Sequence, residues 1–135
     1  MKAALYTDGG SRGNPGDAAI GYVLTLPGRE PIEHGEYIGR TTNNQAEYLA
    51  LLAGLKRAEK EGAQEVECFL DSELVVKQLA GSYRVRDAHI RPLYDQVCSM
   101  VSNFDTVIFN HVPREKNKRA DMLVNKTLDK KTPRS

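Results

Sequence analysis

Apolar positions in this chain fall into short runs broken by glycine, proline and asparagine, and the period within the runs switches between two and 3.6. Ala3-Ala4-Leu5-Tyr6 has the length and apolarity of a buried strand. Asp8 stands where that strand is expected to stop, ahead of the turn-rich stretch Gly9-Gly10-Ser11-Arg12-Gly13-Asn14-Pro15-Gly16. Ala18–Leu26 is rich in strand formers and closes at Pro27-Gly28, and Ile32–Ile38 reads as the returning strand of an antiparallel meander. From Tyr48 to Leu55 the sequence is apolar nearly all round a helix, which predicts a central, buried one. Two capping-box spacings mark its start, Thr42 with Gln45 and Asn44 with Glu47, and Gly62 ends it. Glu65–Leu70 then alternates as a strand, Glu73–Ala80 is a short amphipathic helix and Gly81–Ala88 a linker. Ile90–Phe104 returns to helical spacing, with Leu93, Val97, Met100 and Val101 on one face. Thr106–Val112 is a fifth strand, Pro113–Asn117 a loop, and a last helix begins near Asn117.

This order places acids at the ends of elements. A strand, long helix, strand unit implies a parallel pair joined by a right-handed crossover. With the first and fourth strands as neighbours, Asp8 and Asp71 stand side by side at their carboxyl ends, where open sheets with parallel strands bind ligands. Glu47 shares a helical stripe with Leu51, Gly54, Leu55 and Ala58, and a carboxylate on such a surface needs a partner. Asp121 falls in or near the first turn of the last helix, where the helix dipole favours an acid. Each has a local explanation too: Asp8 starts a turn, Glu47 folds back onto Asn44, and Asp71 or Ser72 caps the next helix. If the four converge, their charges are costly unless protonated or neutralised by cations. Oxygen-only ligation suits Mg²⁺ or Mn²⁺ and argues against zinc. Two such ions about 3.5–4 Å apart can activate a water and stabilise the leaving oxygen of a phosphodiester.

Composition narrows the setting. With 135 residues the chain is the size of one domain, taken as residues 1–128, with a polar tail over 129–135 that is expected to fray. A formal net charge of +1 does not announce a nucleic-acid partner. The basic residues are nevertheless clustered, in Arg84-Val85-Arg86 with His89 and Arg91, and again between Lys116 and Arg134. Cys68 and Cys98 lack zinc or redox spacing and are expected as buried thiols in a reducing compartment. No apolar stretch approaches membrane-spanning length and no signal-peptide pattern is present, so the expectation is a cytoplasmic protein with no membrane contact. A monomer is expected because no exposed apolar helix stands out.

Four segments together resemble the type 1 ribonuclease H family: Tyr6-Thr7-Asp8-Gly9-Gly10 with Gly13-Asn14-Pro15-Gly16, Thr41-Thr42-Asn43-Asn44-Gln45-Ala46-Glu47, Asp71-Ser72, and Asn117-Lys118-Arg119-Ala120-Asp121. They occur in family order between about Lys2 and about Leu128. The resemblance implies an α/β, ribonuclease H-like fold. Its five-stranded mixed sheet has an antiparallel meander of the first three strands, then parallel fourth and fifth strands, and helices flank it. It also implies a metal-dependent endoribonuclease that hydrolyses the RNA strand of RNA–DNA hybrids, leaving 5′-phosphate and 3′-hydroxyl ends. Two Mg²⁺ ions per site are implied, with Mn²⁺ as a substitute. Asp8, Glu47, Asp71 and Asp121 fall on the family's metal-binding carboxylates, with Asp8 expected to bridge both ions. By the same matching, Asn14, Asn43, Asn44 and Gln45 face the hybrid's minor groove, where amides can hydrogen-bond a 2′-hydroxyl. Thr42 would sit near a phosphate of the DNA strand, and Gly9, Gly10 and Ser72 complete the expected substrate-binding set.

The chain departs from many family members in two places. A mobile His in a Gly-His loop is replaced by His111-Val112-Pro113-Arg114-Glu115-Lys116-Asn117, as in the shorter archaeal and related bacterial forms. Arg114 is then the expected auxiliary residue and His111 the second candidate. The long basic protrusion of some members shrinks to Gly81–Ala88, with Arg84 and Arg86 as its replacements. Two readings compete with the hybrid nuclease: a same-fold nuclease that also acts on duplex RNA, and a catalytically silent nucleic-acid-binding module.

Overall fold

Long, glycine-rich strands open the chain: β1 (Lys2–Gly13), β2 (Gly16–Thr25) and β3 (Ile32–Thr41) form the antiparallel meander. The computed structural model describes residues 1–131. Next come α1 (Asn43–Lys60), β4 (Glu65–Leu70), α2 (Glu73–Leu79), α3 (Arg91–Val101), β5 (Thr106–His111), a short 3₁₀ turn (Arg114–Lys116) and α4 (Lys118–Lys131). The sheet order is β3-β2-β1-β4-β5, with β4 parallel to both β1 and β5. This is the mixed five-stranded sheet that the resemblance implies, and β1 beside β4 is the parallel pair expected from the strand–helix–strand order.

The alternation of β4 turns Val66, Cys68 and Leu70 into the core, and Ala3 and Leu5 of β1 lie in the same buried cluster. Against this face packs α1, whose Tyr48, Leu51 and Leu55 are fully buried. α3 leans on α1 through Val97 and Met100, which are buried, while Leu93 and Val101 are half-covered. α4 covers the opposite face over β1, β2 and β3, where Val124 and Leu128 meet Ala19.

Several boundaries differ from the sequence reading. β1 does not stop at Asp8: Gly9 and Gly10 pair with Ile20 and Ala19 of β2, and the turn is confined to Gly13–Gly16. The reason is packing. A Cβ on Gly9 would lie 2.2 Å from the main-chain carbon and oxygen of Ala46, so this glycine admits the start of α1 against the strand. Gly13, with φ of 105°, is the glycine that the turn itself requires. β2 accordingly begins at Gly16 rather than Ala18, β3 runs on to Thr41, and α3 is shorter than Ile90–Phe104. Cys68 is buried as expected, but Cys98 is exposed because it faces away from the Val97–Met100 stripe of α3. α4 continues through Lys131, and residues 132–135 of the tail lie outside the described residues.

Candidate active site

The parallel pairing of β1 with β4 ends at Thr7 opposite Leu70. Asp8 and Asp71 are the next residues on each strand, so the two acids emerge side by side where the ladder stops. Asp8 stays within β1, paired with Gly21, while Asp71 leaves β4 for the α2 cap. The third acid arrives with α1. Thr42 is the N-cap and Gln45 closes the capping box, which resolves the two spacings in favour of Thr42–Gln45. Glu47 is therefore not folded back onto Asn44. It points at β1, where the Gly9 amide donates to Glu47 Oε1 at 3.1 Å, and only a residue without a side chain allows that approach.

One carboxylate oxygen from each of Asp8, Glu47 and Asp71 lies within 4.8 Å of the others. Asp8 and Glu47 are 7% and 3% exposed, so two of the three acids are out of bulk water. Burial pushes the Asp8 carboxyl up to about 10, helped by the nearby charges of Glu47, Asp71 and Asp121. Burial likewise raises Glu47 to about 7, with Asp71 adding to it, while bonds to Asp8 and the Gly9 amide and the Arg114 charge pull the other way. Glu47 Oε2 is buried without a hydrogen-bond partner among the described residues. A buried carboxylate oxygen with no donor, facing two more acids, fits a hard cation held by oxygen ligands. The chemistry of the donor set therefore suits a hard divalent cation, which the three acids could hold.

These residues floor a cleft of about 360 Å³. Asp121 lines the same cleft from the first turn of α4, outside the close triad, and its Oδ2 accepts from Asn125 Nδ2 at 3.3 Å. Arg114, in the 3₁₀ turn, is on the cleft wall, whereas exposed His111 at the end of β5 is not part of the lining. Gly9, Gly10, Asn43 and Ser72 also line the cleft, and Ser72 Oγ caps α2 by accepting from the Val75 amide at 3.3 Å.

Asn14, Thr42, Asn44 and Gln45 lie beside the cleft, around the N-terminus of α1 and the β1–β2 turn. Asn14 Oδ1 accepts from the Asn43 amide at 3.1 Å, and Asn43 Oδ1 accepts from the Ser11 amide at 3.3 Å. Gln45 Oε1 accepts from the Thr42 amide at 3.2 Å and from the hydroxyls of Thr41 and Thr42. Because backbone amides can only donate, these bonds fix which end of each side chain is the carbonyl. Among the described residues the NH₂ groups of Asn14, Asn43 and Gln45 have no acceptor.

The sequence reading gave no role to Asn117 or Asn125. Asn117 is 1% exposed and donates through Nδ2 to the Thr7 carbonyl at 2.9 Å and to Asp71 Oδ2 at 3.1 Å. The signal was the four-residue spacing Asn117–Asp121–Asn125, which puts two amides on the helical stripe of the fourth acid.

A family model described as reverse transcriptase-like matches residues 6–127. Ribonuclease HI of Halobacterium salinarum is 46% identical over 125 residues, which are 92% of this chain, and the chain spans 63% of that relative's length. The crystal structure of RNase H1 from the same halophilic archaeon has a TM-score of 0.92 at 44% identity, over 96% of this chain and 99% of that one. LC11-RNase H1, solved in complex with an RNA/DNA hybrid, has a TM-score of 0.89 at 41% identity, over 96% and 98% of the two chains. On sequence and on fold alike, this chain belongs to the reverse transcriptase-like family and, within it, to the type 1 ribonucleases H.

Proposed function

We propose that this chain is a metal-dependent endoribonuclease that hydrolyses the RNA strand of RNA–DNA hybrids. The observation that carries the reading is the triad of Asp8, Glu47 and Asp71, with oxygens within 4.8 Å and Glu47 Oε2 buried without a donor. Its likeness to LC11-RNase H1, solved with an RNA/DNA hybrid, supports the substrate class. Asp8, Glu47 and Asp71 hold the metal, with Asp121 completing the set from α4. Asp8, whose carboxyl feels the charges of the other three acids, would be the central member of that set. Two Mg²⁺ ions, when bound, supply an activated water and stabilise the charge that develops on the leaving 3′-oxygen.

The remaining steps fall to side chains. The NH₂ groups of Asn14, Asn43 and Gln45, with exposed Asn44, donate to 2′-hydroxyls and base acceptors across the minor groove, which tells RNA from DNA. Thr42, the N-cap of α1, receives a phosphate of the DNA strand. Arg114 places a positive charge on the cleft wall near Glu47 and steadies the scissile phosphate. A reducing, cytoplasmic setting is part of the same proposal, supported by the two free thiols among the described residues. Among the described residues no helix is long and apolar enough to cross a membrane.

The test is cleavage of an end-labelled RNA–DNA hybrid beside duplex RNA, duplex DNA and single-stranded RNA, each with Mg²⁺, Mn²⁺ or chelator. Hybrid cutting that needs the metal and disappears in Asp71→Asn is the expected result. Hybrid binding without cutting in either metal would refute it and leave a silent binding module.

A further inference from the structure

Asn117 stands between three of the four acid-bearing segments. Its side chain reaches the carbonyl of Thr7, next to Asp8, and the carboxylate of Asp71. Its own main-chain carbonyl accepts from the amide of Asp121 at 3.1 Å, the bond that starts α4. Thr7 is also the last residue of β1 paired with β4, so the asparagine takes over where the sheet ladder ends.

The orientation of this amide follows from its partners. Both are acceptors, so both N–H groups of Nδ2 are used, and among the described residues the carbonyl Oδ1 is left buried without a partner. Turning the amide over would set oxygen against oxygen at two contacts. An unpartnered buried acceptor is destabilising, and the fold tolerates it at this position in return for two donors. Of the Asp71 carboxylate, Oδ2 is held by this bond, while Oδ1 has no hydrogen bond among the described residues. Half-buried Asp71 is repelled by Asp8 and Glu47, and the Asn117 bond is what opposes its rotation away from them.

We propose that Asn117 is a positioning residue of the acid cluster: it locks Asp71, and ties Asp8 and Asp121 to it, in the arrangement that receives a divalent cation. The inference rests on the metal-site reading above. Its effect is on cation affinity and turnover, because the groups placed against the hybrid's minor groove belong to the β1–β2 turn and α1.

Asn117→Ala and Asn117→Ser are compared with the intact chain by calorimetric titration of Mg²⁺ alone, with Asp71→Asn alongside. Loss of a residue that orients a ligand costs tenfold to a hundredfold in metal affinity, so a weakening of at least about tenfold is expected. Turnover on hybrid, counted per folded molecule, falls at limiting Mg²⁺ and recovers as Mg²⁺ is raised, while KM stays within about twofold, a recovery that general loosening of the fold does not produce. Either variant folding and binding Mg²⁺ as tightly as the parent overturns the proposal. Should neither fold, the side-chain amide of Asn117 is followed by NMR in the unaltered protein. A shift as Mg²⁺ is added supports the role, and an amide indifferent to saturating Mg²⁺ refutes it. If Asp71→Asn itself binds Mg²⁺ normally, the metal-site reading fails; if it does not but the Asn117 variants do, only this inference fails.

Discussion

Glu47→Gln should stabilise the metal-free protein at neutral and alkaline pH while removing its response to Mg²⁺. Burial and the Asp71 charge raise the Glu47 carboxyl from 4.5 to about 7. In the unfolded chain this group loses its proton near its ordinary value, and in the folded protein it keeps it until about pH 7. Between those values the folded state binds more protons, so stability falls as pH rises from about 4.5 to about 7, and the full penalty is present above that. At about 1.36 kcal/mol per unit the ceiling is about 3 kcal/mol. Asp8, raised further by burial and by the neighbouring Glu47 charge, titrates together with it, so a share of its own penalty is relieved by the same substitution. Glutamine keeps the oxygen that accepts from the Gly9 amide and offers its NH₂ to Asp8, so no new orphan is created.

The assay is urea unfolding in chelator at pH 8 and again at pH 4.5. At pH 8 the variant should be more stable by about 1–3 kcal/mol, a midpoint shift on the order of 1 M urea. At pH 4.5 the difference should shrink, since native Glu47 is then protonated. Added Mg²⁺ at pH 8 should raise the midpoint of the parent and leave the variant unmoved. A variant less stable than the parent at pH 8 in chelator refutes the reasoning, because Glu47 would then be held by structural bonds rather than strained by its neighbours.

Three other outcomes test separate parts of the site. Gly9→Ala meets the Ala46 main chain at 2.2 Å, and no side-chain rotation relieves it, so a loss of about 3 kcal/mol or more is expected in urea unfolding; a cost under about 1 kcal/mol contradicts the close approach of α1. Arg114→Ala should lower turnover on hybrid about tenfold or more, while His111→Ala stays within about twofold; the reverse order would restore His111 as the auxiliary residue. Arg84 and Arg86 project from an exposed loop pinned by buried Val85, so replacing both by alanine should flatten the log–log salt dependence of hybrid binding by about 1–2. An unchanged slope would mean that the loop does not reach the phosphates.

What the sequence disclosed and what it hid divide along the range of the interactions. Elements announced by local periodicity and capping were legible: the α1 cap at Thr42, the alternation of β4, and the acids Asp71 and Asp121 at the end of β4 and the start of α4. The neighbourhood of Asp8 and Asp71 followed from chain order alone, since a strand–helix–strand unit has few ways to close. Contacts between segments far apart in sequence were not legible. Asn117 reaches residues 110 and 46 positions away, and nothing in its local sequence says which acceptors it will meet. Cys98 was misread because an apolar-looking helix does not reveal how narrow its buried stripe is. The most instructive error is the glycine run after Asp8. Read as a turn, it made the acid a strand terminus; in the fold the strand carries on, and the run splits into a close-approach glycine at Gly9 and a turn glycine at Gly13. A glycine inside a strand pattern and next to an acid is better taken as the point where another backbone comes close. Here that backbone is the start of α1, and it delivers the second acid.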